Sequence, residues 1–134
     1  MKEKTKPWIE FACRDLAAAE KLQTDDKISS IVLYHCQQCI EKSIKALFEE
    51  HDLHVPRIHA TLKLHSDIRQ AVPSMPQFAD NKDLEFIDNT YIDARYPGGM
   101  GTLAVGLPSS KETSRGLAIA RKVFKSINSF LNMP

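Results

Sequence analysis

The sequence predicts an all-α protein, an up-and-down helical bundle of about five helices. Apolar residues recur at steps of three and four along five segments, no segment shows the alternation of a strand, and polar or Pro/Gly-rich stretches separate them. The predicted helices cover about residues 7–22, 27–51, 59–72, 81–94 and 111–131. We expect residues 1–134 to form a single domain, because this length suits one hydrophobic core.

The first two helices are separated by a polar break at residues 23–27. Pro7 suits the first turn of a helix, and Thr24 or Asp25 is an N-cap for the second. The first helix carries one apolar stripe, formed by Trp8, Ala12, Leu16 and Ala19. This stripe predicts a helix with one face in the core.

The other three helices have clear boundary signals. The third must stop before Pro73, because the residue before a proline disfavours the helical conformation. Asp80 or Asn81 is a cap for the fourth, which turns Leu84, Ile87 and Tyr91 inward. Ser109 and Glu112 have the spacing of a capping box for the last helix. Its apolar stripe comprises Leu117, Ala120, Phe124, Ile127 and Leu131.

Composition excludes several classes of protein. The 18 Lys and Arg nearly cancel the 17 Asp and Glu, which argues against bulk electrostatic binding of nucleic acid or of an acidic membrane. The polar N-terminus is not a signal peptide, and no apolar run is long enough for a membrane helix. Three cysteines, an odd number, indicate reduced thiols. We expect a cytoplasmic protein.

The second helix has an unusually wide apolar face. At about 100° per residue its apolar side chains cover roughly 200°, about twice what a surface helix needs. They are Ile28, Val32, Leu33, Cys36, Cys39, Ile40, Ile44, Leu47 and Phe48. The helix is therefore central in its own bundle, packs against a second copy of the chain, or both. We expect a homodimer.

The opposite face of the second helix is polar and carries Tyr34, Gln38, Glu41, Lys42 and Lys45. It is either a solvated face or the wall of a cleft. Glu41 and Lys45 have the i,i+4 spacing of an ion pair, which on an exposed helix contributes only about 0.2–0.5 kcal/mol.

Two motifs that can bind cofactors have simpler explanations. Cys36 and Cys39 form a C-x-x-C pair, but they lie deep within the apolar arc of a helix, where a thiol behaves as a small hydrophobic group. Four of the five glycines fall in residues 97–106, without the lysine of a phosphate-binding P-loop or a preceding strand. We expect no metal and no cofactor, and interpret the glycine-rich stretch as a long connection with a role in binding.

Several motifs together resemble the HEPN family, the higher eukaryotes and prokaryotes nucleotide-binding domain. They are Trp8, Ala12, Asp15-Leu16, the run 37–48 (QQCIEKSIKALF), Pro56, His59, Tyr91 and Arg95-Tyr96-Pro97. The similarity covers nearly the whole chain in the right order. It implies a helical bundle that dimerises, and a small bacterial or archaeal protein acting with a minimal nucleotidyltransferase in a toxin–antitoxin-like pair.

The family also contains ribonucleases, whose motif is an Arg followed after four to six residues by a His. No arginine of this chain meets that spacing, and no His follows His65. Arg57 and His65 come nearest, with one residue too many between them. We therefore expect no catalytic residue and a non-catalytic nucleotide-binding or interaction module. A ribonuclease with unusual spacing, using Arg57 and His65, and a purely structural dimeric adaptor are the alternatives.

Seven residues are candidates for binding a nucleotide: Arg95, Tyr96, Tyr91, Lys42, Lys45, Gln38 and His59. Arginine at a helix end can bind phosphate with two hydrogen bonds, and tyrosine can stack on a base. Three of them have structural alternatives. Arg95 can instead pair with Glu41, His59 can open the third helix and cap it through its side chain, and Lys45 can be a plain solvated lysine.

Overall fold

The computed structural model describes residues 1–95 and 107–134, with residues 93–95 described by their backbone alone. The chain forms α1 (Lys6–Leu22), α2 (Ser29–Glu50), α3 (Thr61–Ala71), α4 (Asn81–Arg95) and α5 (Ser110–Leu131). A short 3₁₀ turn, Asp26–Ile28, precedes α2. The predicted all-α fold of five helices is confirmed, and no strand occurs in the two described ranges.

The second helix is the centre of the bundle. It packs against all four other α-helices, which follow one another around it in the order α1, α5, α4, α3. Fourteen of its 22 residues are buried. The wide apolar arc of α2 is therefore covered by the helices of its own chain, and a partner is not needed to explain it.

Capping explains where several helices begin and end. The capping box before α5 is present, since the Ser109 hydroxyl accepts the Glu112 N–H at 3.1 Å and the Glu112 carboxylate accepts the Ser109 N–H at 2.9 Å. Asp25 accepts the Lys27 N–H at 3.0 Å and caps the 3₁₀ turn. That turn moves the start of α2 two residues beyond the predicted position. The helix ends at Glu50, and Asp52 follows with a φ of 57°, the left-handed conformation that is common just after a helix C-terminus.

The start of α3 is capped from another helix. Asp88 of α4 accepts the backbone N–H groups of Thr61 and Leu62 at 2.8 and 3.1 Å, and the Thr61 hydroxyl at 2.7 Å. The expectation that His59 opens this helix is therefore wrong, because α3 begins two residues later and its cap is Asp88. This contact fixes α3 against α4 and so positions the loop that carries His59.

The two cysteines of the C-x-x-C pair are fully buried in the core, as the sequence indicates for small hydrophobic side chains. Burial raises the pKa of the Cys36 thiol to about 12 and that of Cys39 well above its ordinary value. Neither thiol is available as a thiolate near neutral pH.

The described part of the chain lacks two further features. No helix there combines the length and the hydropathy needed to cross a bilayer. Within the same residues no group of three His, Cys, Asp or Glu side chains is arranged to hold a metal ion.

Candidate functional site

A buried carboxylate organises the polar face of α2. The side chain of Glu41 is 6% exposed and accepts the Lys45 ammonium at 3.0 Å on one oxygen. Its other oxygen accepts the Gln37 amide at 3.1 Å and the His59 Nδ1–H at 2.9 Å. A buried charge requires such partners, and here an ammonium, an amide and an imidazole supply them. We call Gln37, Gln38, Glu41, Lys45 and His59 the Glu41 cluster.

The contact with Glu41 fixes the tautomer of His59. An ionised carboxylate only accepts hydrogen bonds, so the proton of a neutral imidazole must lie on Nδ1, and Nε2 carries the lone pair. The His59 side chain is 57% exposed, whereas that of Glu41 is buried. The cluster thus presents an oriented imidazole at the surface.

Three aromatic rings continue from the Glu41 cluster towards α4 and the start of α2. The His59 ring lies 5.7 Å from Tyr91, and Tyr91 stacks on Tyr34 at 6.0 Å with an angle of 18° between the rings. Ring separations of about 4.5–7 Å are typical of favourable aromatic pairs. We call His59, Tyr91 and Tyr34 the aromatic row. It gives the site flat apolar surfaces beside hydrogen-bonding groups.

The two glutamines hold the cluster together. Gln37 donates to the backbone carbonyl of His59 at 2.8 Å and so anchors the loop that follows α2. Gln38 donates to the side-chain oxygen of Gln37 at 2.7 Å and is only half-buried. Gln37 was not a predicted site residue. The two consecutive glutamines of the QQCIEK run were the only local signal for this role. They do not reveal that Gln37 binds the backbone carbonyl of His59, which comes from the loop after α2.

The interpretation of this strip as a solvated face is wrong for Glu41 and Lys45. Both residues are buried, at 4% and 6% exposure, because α2 is enclosed on several sides. The predicted i,i+4 pair is present, but the small value expected for an exposed pair does not apply to it. The Lys45 ammonium forms an ion pair with Glu41, so it offers no unpaired positive charge to a ligand.

Lys42 lies in a different place from the other candidates. Its ammonium binds Asp15 of α1 at 2.6 Å, and the same carboxylate contacts His35 Nδ1 at 2.8 Å. It also lies 5.8 Å from the ring centre of the exposed Phe11. Lys42 is therefore paired with α1 and Lys45 with Glu41, and a shared binding surface that includes Lys42 stays a prediction.

The roles of Arg95 and Tyr96 in ligand binding stay predictions. Arg95 is the last residue of α4, one turn beyond Tyr91, and its side chain is not among those described. Tyr96 and the glycine-rich stretch at 97–106 lie outside the described residues.

His65, a residue of the alternative ribonuclease hypothesis, is buried at 2% exposure. Its Nε2 accepts the backbone N–H of Phe78 at 3.1 Å. Burial, together with the nearby Arg69, lowers the pKa of His65 below its ordinary 6.5. This imidazole holds the linker before α4 and cannot offer Nε2 to a substrate.

The lowered pKa of His65 predicts a dependence of stability on pH. The unfolded chain binds this proton more readily than the folded chain, so stability is full above about pH 6.5 and falls as the pH drops below it. Denaturant titrations between about pH 4.5 and 8 should show the loss, and His65→Gln should flatten that part of the profile. The exposed His54→Gln is the control. An unchanged profile in His65→Gln would contradict the expectation.

The fold and the site together define a small helical-bundle protein with a buried carboxylate, an exposed imidazole and an aromatic row beside its central helix. A family profile described as HEPN domain matches residues 5–130. The chain therefore belongs to the HEPN domain family, a module of the nucleotide-binding and ribonuclease type.

Two solved structures have the same fold. TT1696 from Thermus thermophilus has a TM-score of 0.73 and 20% identity, with 96% of this chain and 98% of that chain covered. ST0689, described as an archaeal HEPN homologue, has a TM-score of 0.72 and 21% identity, with 98% and 100% covered. No curated protein matches the chain. At these identities the likeness concerns the fold.

Proposed function

We propose that this protein is a non-catalytic nucleotide-binding module whose binding site is the Glu41 cluster, the aromatic row and the end of α4. The observation that carries the proposal is the exposed His59 ring, oriented by a buried carboxylate and placed 5.7 Å from Tyr91. Aromatic faces beside amide and imidazole groups suit a nucleobase, which offers a π-face and a polar edge.

The division of roles within the site follows from its charges. Lys45 and Glu41 neutralise each other, so the Glu41 cluster supplies hydrogen bonds and no strong attraction for phosphate. We assign the base to His59 and Tyr91, with the half-buried Gln38 beside them. The phosphate is assigned to Arg95, the last residue of α4, and to Tyr96, the next residue in the sequence.

Nucleotide binding can be tested by isothermal titration with AMP, ATP and GTP. We expect His59→Ala to weaken binding by about 5- to 150-fold, the loss of roughly 1–3 kcal/mol of base stacking. Arg95→Ala should weaken binding of the triphosphates by at least about tenfold, because a charged hydrogen-bond donor to phosphate is lost.

The matched control is Arg14→Ala. It removes an exposed arginine of α1 whose Cζ lies 5.0 Å from the ring centre of Phe11. This variant should bind nucleotide like the wild type. Melting temperatures of all variants accompany the titration. The proposal is wrong if no nucleotide binds the wild type, or if Arg95→Ala only lowers the melting temperature.

We further propose a cytoplasmic prokaryotic protein that works with a minimal nucleotidyltransferase in a toxin–antitoxin-like pair. The support is membership of the HEPN family together with the motifs that the family resemblance rests on. A nucleotidyltransferase encoded beside this chain is the first candidate for co-purification. The ribonuclease alternative is disfavoured, because the buried His65 Nε2 already accepts a backbone N–H.

Homodimerisation is also proposed, on a different surface from the arc of α2. Phe11 of α1 and Ile31 of α2 are 47% and 44% exposed. Phe11 lies against Lys42, and at about 100° per residue Ile31 and Lys42 fall on one stripe of α2. Two large apolar side chains therefore point away from the bundle on the α1–α2 side, as expected of residues that a second copy covers.

Light scattering tests the dimer. We expect a mass near twice the 15.1 kDa of the chain, and a monomer when Phe11 and Ile31 are both replaced by glutamate. Met133→Glu, which changes a 70% exposed residue at the other end of the chain, should leave the mass unchanged. A monomeric wild type in dilute solution would refute the dimer.

A further inference from the structure

An open surface cavity of about 520 Å³ lies between α3, the linker that follows it and the start of α4. Its polar lining comes from His65, Ser66, Arg69, Gln70 and Asn81. Among the described residues that line it, none is acidic. Its size falls within the range of about 300–1,000 Å³ that is typical of small-molecule sites. None of its lining residues belongs to the Glu41 cluster or the aromatic row.

The buried His65 lines this cavity and carries one hydrogen-bond donor that no described residue uses. A backbone N–H only donates, so the Nε2 that accepts the Phe78 N–H carries the lone pair. The proton of the neutral ring is therefore on Nδ1. No described residue accepts a hydrogen bond from this nitrogen. The nitrogen is also not among the side-chain atoms that are sealed from solvent without a partner. A 2% exposed imidazole that lines the cavity thus has an unused N–H.

Arg69 supplies the positive charge of the cavity. It is exposed, lies one helical turn after His65, and makes no ion pair with any described carboxylate. The neighbouring Asp67 is paired with Lys63, and Asp83 with Arg115. Asn81 begins α4, where the helix dipole adds partial positive charge. The cavity therefore combines a free guanidinium, a buried N–H donor and a helix start.

We propose that this cavity is a second binding site, for a small organic anion whose phosphate or carboxylate group is bound by Arg69 and the His65 Nδ1–H. A guanidinium binds either group through paired hydrogen bonds. The apolar part of the ligand lies against Leu62 and Met75, which line the same cavity. The site is on α3, so it does not depend on whether the Glu41 cluster binds nucleotides.

Phenyl phosphate and benzoate are the probes, because each joins one anionic group to one small apolar ring. Titrations of the ¹⁵N-labelled full chain, followed by NMR, should shift the amide signals of residues 65–70 and 81–83. Arg69→Gln should weaken binding at least tenfold, whereas Arg57→Gln, a change at an exposed arginine of the preceding loop, should not weaken it. The probe that binds more tightly shows whether the site prefers a phosphate or a carboxylate group.

Separate variants distinguish this site from the proposed nucleotide site. His59→Ala should leave the binding of phenyl phosphate and benzoate unchanged, and Arg69→Gln should leave nucleotide binding unchanged. Benzyl alcohol, the neutral control, should not bind. The proposal is overturned if neither anion shifts the amide signals at low millimolar concentration, or if Arg69→Gln binds both as tightly as the wild type.

Discussion

Replacing Glu41 with alanine is expected to lower the free energy of unfolding by about 3–5 kcal/mol, because the substitution leaves the ammonium of Lys45 buried without a counter-charge. The side chains of the pair are 6% and 8% exposed. Water therefore cannot replace the lost carboxylate. The Gln37 amide and the His59 imidazole lose an acceptor in the same step. Denaturant unfolding measures the loss.

A second pair in the same chain is the matched control. Lys63 and Asp67 have the same i,i+4 spacing and lie 3.2 Å apart, but their side chains are 66% and 34% exposed. Asp67→Ala should cost no more than about 0.5 kcal/mol. The double variant Glu41→Leu/Lys45→Met should recover much of the stability lost by Glu41→Ala, since it removes both buried charges. If Glu41→Ala and Asp67→Ala lower the free energy of unfolding equally, burial does not determine how much an ion pair contributes to stability.

Replacing Gly116 with leucine is expected to be the second severe change. It should lower the free energy of unfolding by about 3 kcal/mol. Gly116 lies on the buried face of α5, and a Cβ there would be 2.4 Å from Cδ2 of Leu33. Leu33 is fully buried and belongs to the central helix, so it has little room to move. The larger side chain must therefore separate α5 from α2.

Ala118→Leu is the control for Gly116→Leu, because residue 118 is exposed on the same helix. Leucine and alanine are both good helix formers, so this change should alter stability by less than about 0.5 kcal/mol. Thermal and denaturant unfolding of the two variants make the comparison. A Gly116→Leu protein as stable as Ala118→Leu would mean that the α2–α5 contact is looser than the structure shows.

The helices were predictable from the sequence because their signals are local. The three-four periodicity of the apolar residues and the Ser109–Glu112 capping box depend on neighbours within one or two turns. The start of α3 was missed because its cap, Asp88, comes from α4, 27 residues along the chain from Thr61. A cap supplied by another helix leaves no pattern near the helix that it caps.

The candidate site was predictable only in part. The spacing of Glu41 and Lys45 predicts that the two side chains meet, but their burial depends on how the other helices surround α2. The contact between His59 and Glu41 depends on the path of the loop after α2, which no periodicity describes. Lys42 and Lys45, three residues apart, were grouped by their charge. The structure separates them because one meets Asp15 of α1 and the other meets Glu41.

The central position of α2 limits how the ligand preference of the proposed site can change. Glu41 and Lys45 are buried parts of the bundle as well as members of the site, so substitutions there act on folding before they act on binding. His59 is an exposed residue of a loop, and its side chain can be exchanged without opening the core. We therefore expect laboratory evolution towards a new ligand to select changes at His59 first. Changes at Glu41 or Lys45 should survive only in pairs that keep the buried charge balanced.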